Sequence, residues 1–147
     1  PMSNQAGQSN LRKRLQDAGI KVKKDDPALG LILDQIKARE ADGYTYDSAQ
    51  ASFELLARRA LGQMPEFFEV KLAKDLGRYG EVIADMRLVD FKVRITQGGT
   101  EAVTRVIIDS EDAEGRRWST VGVSANIVDA SFDALLDAIN WKLLQST

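Results

Sequence analysis

The strongest constraint on the fold lies between residues 88 and 96. There Val89, Phe91, Val93 and Ile95 alternate with Asp90, Lys92, Arg94 and Thr96. Side chains along a strand point to opposite faces in turn, so this period of two predicts a strand with one apolar face. Gln97, Gly98 and Gly99 read as a turn, and residues 102–109, AVTRVIID, as a second strand. Residues 110–115 form a polar hairpin loop. Residues 117–123 follow as a third strand, with Trp118 and Thr120 on one face. Over residues 126–144 the period changes. Val128, Phe132, Leu135, Ile139 and Leu143 make the stripe of an amphipathic helix. The order β-β-β-α predicts an α+β fold, a three-stranded antiparallel sheet with one helix packed across it. One such unit leaves an edge and part of a face uncovered, so self-association is expected.

The first half reads as helices. Residues 1–10 are small, polar and aperiodic, the pattern of a loop or leader. Ser9 is placed to cap a helix running to about Ala18, with Gly19 as its stop. Asp26-Pro27 is a start signal, a cap followed by a first-turn proline. From Pro27 to Asp42 the positions Leu29, Leu31, Ile32, Leu33 and Ile36 form one stripe, ended by Gly43. A third helix begins at Asp47 or Ser48 and runs to Leu61, with Phe53, Leu55, Leu56 and Ala60 on its apolar side. Three short helices bury little alone, so they should pack on something else. Residues 66–70, EFFEV, read as a strand start, and residues 71–77 return to helical spacing. Residues 81–86 add a further helical turn. The expected division is a helical linker over 1–62 and a second domain over 63–147.

The composition removes several function classes. The chain has 147 residues, 20 Lys+Arg against 22 Asp+Glu, and neither His nor Cys. No thiolate zinc site, disulfide or cysteine nucleophile is available, and the commonest general base is missing. A net charge of −2 gives no footprint for nucleic acid. No apolar run is long enough for a membrane span, so a cytoplasmic location is expected. The basic residues Arg12, Lys13, Arg14, Lys21, Lys23 and Lys24 adjoin Asp25 and Asp26 and read as a solvated face. The carboxylate pairs Asp25/Asp26 and Glu111/Asp112 fall in caps or loop tips, where local backbone bonding explains them. Trp118, on an alternating strand, reads as core rather than as a ring-stacking platform. No catalytic or metal-ligating residue is assigned.

One junction has binding chemistry. Through Gly122, Val123, Ser124, Ala125, Asn126 and Ile127 a strand turns directly into a helix. Free N–H groups at such a helix start, helped by the helix dipole, form a seat for an anion. Gly122 would let a ligand approach the backbone. Val123, Ile127 and Ala130 would supply an aliphatic pocket, so a branched-chain amino acid fits the pattern. The plainer alternative is that Ser124 or Asn126 simply caps the helix.

At these residues the chain resembles the C-terminal part of the isopropylmalate synthase family, and most of all its citramalate synthase branch. The likeness is carried by Gly43-Tyr44-Thr45-Tyr46 running into ASFELLARRALG (51–62), by LVDFKVRI (88–95), by TEAVTRVIIDS (100–110), and above all by RRWSTVGVSANIVDASFDALLDAINWKLL (116–144). The resemblance implies a parent enzyme in which a catalytic barrel condenses acetyl-CoA with a 2-oxo acid, using a divalent metal. Helical linkers follow, then a regulatory domain of two similar β-β-β-α units. That domain helps hold a homodimer and binds a branched-chain amino acid as feedback inhibitor, here isoleucine or leucine. The barrel and its His-x-His motif are not in this chain, so no condensation, and no cofactor, is expected of it. Family members also carry more chain between FFEV (67–70) and KLAKDLG (71–77), so Val70 and Lys71 are not expected to be spatial neighbours.

Overall fold

The computed structural model describes residues 4–67 and 79–146. Helices α1 (Asn4–Asp17), α2 (Pro27–Ala41) and α3 (Gln50–Ala60) come first. A short turn of helix, α4 (Gly80–Ile83), leads into β1 (Arg87–Gly98), β2 (Glu101–Glu111) and β3 (Arg117–Ser124), and α5 (Ile127–Gln145) follows. The strands form one antiparallel sheet in the order β1-β2-β3, with α5 across it, which is the α+β arrangement expected.

Local chemistry explains most of the boundaries. Asp26 Oδ1 accepts from the Ala28 amide at 2.9 Å, and Pro27 occupies the first turn of α2. Helix α1, by contrast, starts at Asn4, so Ser9 lies inside it and caps nothing. Packing overrides local preference there: a Cβ on Gly7 would come within 3.1 Å of Leu33, and Leu11 and Leu15 are buried. Helix α3 begins after Ala49 with no side-chain cap, and it buries every residue from Ala51 to Ala57. In α2 the side chains of Leu29, Ile32 and Leu33 are buried, whereas Leu31 faces solvent. Glu66 and Phe67 are irregular rather than strand. Residues 68–70, the helical pattern at 71–77 and the Val70–Lys71 junction lie outside the described residues.

The sheet has two unlike faces. Register pairs Phe91 with Ile108, Val93 with Val106 and Ile95 with Thr104, then Ile108 with Thr120 and Val106 with Gly122. All of these share the face on which α5 lies. The helix covers β3 and β2 and leaves β1 bare. Of the expected stripe Ile139 and Leu143 are buried while Val128, Phe132 and Leu135 are exposed, and the side that meets the sheet is made by Ala130, Ala134 and Ala138, all fully buried. Trp118 Nε1 donates to the Ala138 carbonyl at 3.1 Å, and Thr120 Oγ1 to that of Ala134 at 2.8 Å. Trp118 also stacks on Trp141, so it is core.

The opposite face and the β3 edge receive the helices. Val121 belongs to one hydrophobic cluster with Leu15, Ile32 and Phe53, and Ile107 and Val123 pack against it. Ser52 Oγ accepts from the Val121 amide at 2.9 Å, which satisfies an edge-strand donor. At the β1–β2 turn the Gly99 amide donates to Ala41 at 2.9 Å, and Arg105 Nε donates to the Gly43 carbonyl at 2.8 Å. The helical segment and the sheet therefore share a core.

Candidate functional site

The β3–α5 junction forms as a strand running directly into a helix. Asn126 is extended, with φ −122° and ψ 152°, and its Oδ1 accepts from the Asp129 amide at 2.8 Å. Its Nδ2 donates to Asp129 Oδ2 at 2.8 Å, and Ser124 Oγ accepts from the Asn126 amide at 3.5 Å. These bonds serve one of the free amides at the helix start. The Ile127 and Val128 amides have no protein partner among the described residues.

The seven residues expected around an effector do not converge on one pocket. A Cβ on Gly122 would lie 2.0 Å from the Ala130 carbonyl oxygen and 2.6 Å from the Ala134 nitrogen. The glycine thus admits α5 to the sheet, and no ligand reaches its backbone from that side. Ala130 is sealed in the same contact. Val123 turns to the other face, beside Gly43. Ser124 and Asn126 make the cap, Ala125 lies exposed between them, and Ile127 opens onto a separate groove. That groove, about 480 Å³, lies between Leu88, Phe91 and Ile108 on the sheet and Ile127, Val128 and Phe132 on α5. The helix start is the place where unpaired amides and this apolar surface adjoin.

Helix α5 presents a third side to the linker. Tyr44 donates to Asp133 Oδ2 at 2.6 Å, and Ser52 donates to Asp137 Oδ2 at 2.9 Å. Burial pushes the Asp137 carboxyl up, against the opposing pull of Arg59 and Ser52. Tyr44 stacks on Tyr46, with the Arg39 guanidinium 4.9 Å from the Tyr44 ring. Burial moves the Tyr46 hydroxyl up to about 12. Tyr44 is raised as well, by burial and then by its bond to Asp133.

Sequence reasoning missed a buried ion network. Lys142 Nζ sits 2.9 Å from Asp112 Oδ2 and 3.1 Å from Asp85 Oδ1, and Arg116 Nε lies 2.7 Å from Asp112 Oδ2. Asp112 Oδ1 also accepts from the Glu114 and Arg116 amides. Burial opposes the Asp112 charge, yet the bonds from Lys142 and Arg116 outweigh it and hold the carboxyl well below the usual carboxylate range. The only local signal was the spacing of Asp112 and Arg116. No group of three or more acids able to hold a metal ion occurs among the described residues.

Residues 72–143, which contain the whole sheet and nearly all of α5, match the family described as the LeuA allosteric (dimerisation) domain. Across 99% of its length the chain is 34% identical to the (R)-citramalate synthase of Geobacter sulfurreducens, covering 36% of that protein. The chain carries a LeuA allosteric (dimerisation) domain and has citramalate synthase homologues along its whole length. Its likeness to the (R)-citramalate synthase of Synechocystis is 33%, over 97% of the chain and 35% of the relative. A probable 2-isopropylmalate synthase of Archaeoglobus fulgidus is 34% identical over 40% of the chain and 12% of its own length. The chain spans about a third of the length of the citramalate synthases it matches. The Geobacter alignment runs over 193 residues against 147 here, so that relative carries at least 46 residues within the matched span that this chain lacks. No solved structure is significantly similar to the chain.

Proposed function

We propose that the chain is the linker and regulatory part of a cytoplasmic citramalate synthase, which condenses acetyl-CoA with pyruvate, and that it conveys feedback inhibition by isoleucine. The observation that carries this reading is similarity to (R)-citramalate synthases over 99% of the chain, helices and sheet alike. The divalent metal and acetyl-CoA belong to the catalytic part of such an enzyme. This chain has no histidine to supply a His-x-His motif, and its described acids form no metal-sized group. In this reading the effector carboxylate sits on the Ile127 and Val128 amides, and its aliphatic side chain enters the groove beside Phe91 and Phe132. One methylene contributes only about 0.8 kcal/mol, so the shape of the wall must separate isoleucine from leucine.

A purely structural dimerisation module is the second reading. It is favoured by the packing of Gly122 and Ala130 and by the capping role of Asn126, which use up most of the expected effector seat. Titration with isoleucine, leucine and valine, followed by thermal unfolding, separates the two. An effector at a hundred times its Kd stabilises the folded state by about 2.7 kcal/mol. A rise in melting temperature with isoleucine ahead of leucine supports the regulatory reading. A larger response to leucine assigns the chain to the isopropylmalate branch, and no response to any of the three leaves the structural module.

A further inference from the structure

We infer that the small polar cavity where α2, α3 and the loop between them meet α5 is a binding site for a small oxyanion that still carries a proton, of the size of hydrogen phosphate. The site shares no residue with the groove beside Phe132, so it stands whether or not an amino-acid effector binds there.

The first argument is an inventory of donors. The cavity measures about 110 Å³, roughly the space of four waters in the liquid. Tyr46 lines it at 5% exposure, and its hydroxyl has no hydrogen-bond partner among the described residues. Burial keeps that hydroxyl protonated and therefore a donor, and it feels the charges of Arg39, Asp137 and Asp133, which line the same cavity. A buried polar group without a partner in a native fold points to an ion or a water that belongs beside it. Arg39 lies 4.9 Å from the Tyr44 ring, which fixes the plane of its guanidinium, and it makes no hydrogen bond or ion pair among the described residues. A guanidinium held flat with its N–H groups unspent is a fork for an oxyanion. Arg59 makes only a 3.4 Å contact to Asp137, so it too has donors to spare.

The second argument is that the acids decide which anion. Asp137 is already served: Ser52 donates to its Oδ2 at 2.9 Å, and burial pushes the carboxyl up. Asp133 accepts from Tyr44 at Oδ2, whereas its Oδ1 has no partner among the described residues. A free carboxylate oxygen repels an anion that has no proton and accepts a hydrogen bond from one that has. Sulfate at neutral pH is the first kind; hydrogen phosphate and hydrogen carbonate are the second. An amine or a metal ion would meet two guanidiniums in the same space. A branched-chain amino acid has too many atoms for the volume.

The third argument is position. Arg39 lies on α2, Tyr46 in the following loop, Arg59 on α3 and Asp133 on α5, so only the folded chain assembles the site. A bound oxyanion bridges the helical segment to α5 and stabilises the fold by mass action.

Calorimetric titration of the 147-residue chain at neutral pH with sodium phosphate, sodium bicarbonate and sodium sulfate tests this, with thermal unfolding alongside. Phosphate or bicarbonate is expected to bind at one site per chain and to raise the melting temperature, the tighter of the two naming the source. Sulfate at equal ionic strength is expected to do neither. Tyr46→Phe and Arg39→Gln, each checked for folding by circular dichroism, should weaken binding by about tenfold or more, the scale of a hydrogen bond to a charged group. Asp133→Asn, which still accepts from Tyr44, should admit sulfate. A wild type that binds neither phosphate nor bicarbonate at about 10 mM overturns the inference. So does a wild type that takes sulfate as readily as phosphate. A folded Tyr46→Phe that binds like wild type overturns it as well, and leaves an adventitious ion only, on a surface such as Arg12 and Lys24. None of these outcomes touches the effector reading, whose test uses amino acids and a different surface.

Discussion

Replacing Gly122 with alanine should loosen the sheet from its helix. The added Cβ meets the Ala130 carbonyl oxygen at 2.0 Å and the Ala134 nitrogen at 2.6 Å. Both are backbone atoms, so no rotamer change relieves the clash. Restoring ordinary contact requires α5 to rise by roughly 1.4 Å, and a gap of ~1 Å already forfeits up to half of each dispersion contact. The bonds from Thr120 to Ala134 and from Trp118 to Ala138 stretch with it, each worth about 1 kcal/mol. Overpacking of this kind costs ~1–3 kcal/mol in a yielding core. With the two bonds included, the expected loss is about 3–5 kcal/mol. For a chain of this size that lowers the melting temperature by roughly 10 °C. Urea unfolding of Gly122→Ala beside Gly80→Ala, where a Cβ meets nothing within 4 Å, gives the comparison. Gly80→Ala should be neutral. If Gly122→Ala matches wild type to within ~0.5 kcal/mol, the packing argument fails.

Three further outcomes follow from the buried polar groups. Lys142→Ala, which strands Asp112 without its ammonium partner, should cost about 3–5 kcal/mol, as read by denaturant midpoints. Because the Asp112 carboxyl is depressed in the folded state, its contribution is present above the ordinary carboxylate value and is lost as pH falls below about 4. Asp137 is raised, so it works the other way and gains stability on mild acidification. A pH-stability profile that falls no less steeply in Asp112→Asn would contradict the assignment. Ser52→Ala should cost about 2 kcal/mol through the orphaned Val121 amide, and a neutral result by thermal melting would remove the linker–edge bond from the account.

The legible parts of the fold were those written locally. The alternation of Val89 through Ile95 needs only neighbouring residues to declare a strand, and Asp26-Pro27 carries its own cap. What escaped depends on distant partners. The helix 127–145 was read by its largest residues, yet the alanines at 130, 134 and 138 face the sheet, because Gly122 on another element leaves room for them. The start of α1 is set by contact between Gly7 and Leu33, so the serine at position 9 misleads. Asp112 looks like any loop acid until Lys142, thirty residues on, is folded against it. At the candidate site the helix start was visible in the sequence. What lies over Gly122 was not.

The core that joins Val121 to Leu15, Ile32 and Phe53 has a consequence for anyone recombining chains of this kind. A division at residues 62 and 63, natural on paper, would cut through a single hydrophobic interior and expose Val121 and Ile107 on one product and Phe53 on the other. A grafted sheet should therefore travel with its helices, from α1 through α5. Crossover points belong ahead of α1, where the chimera inherits the whole interior intact.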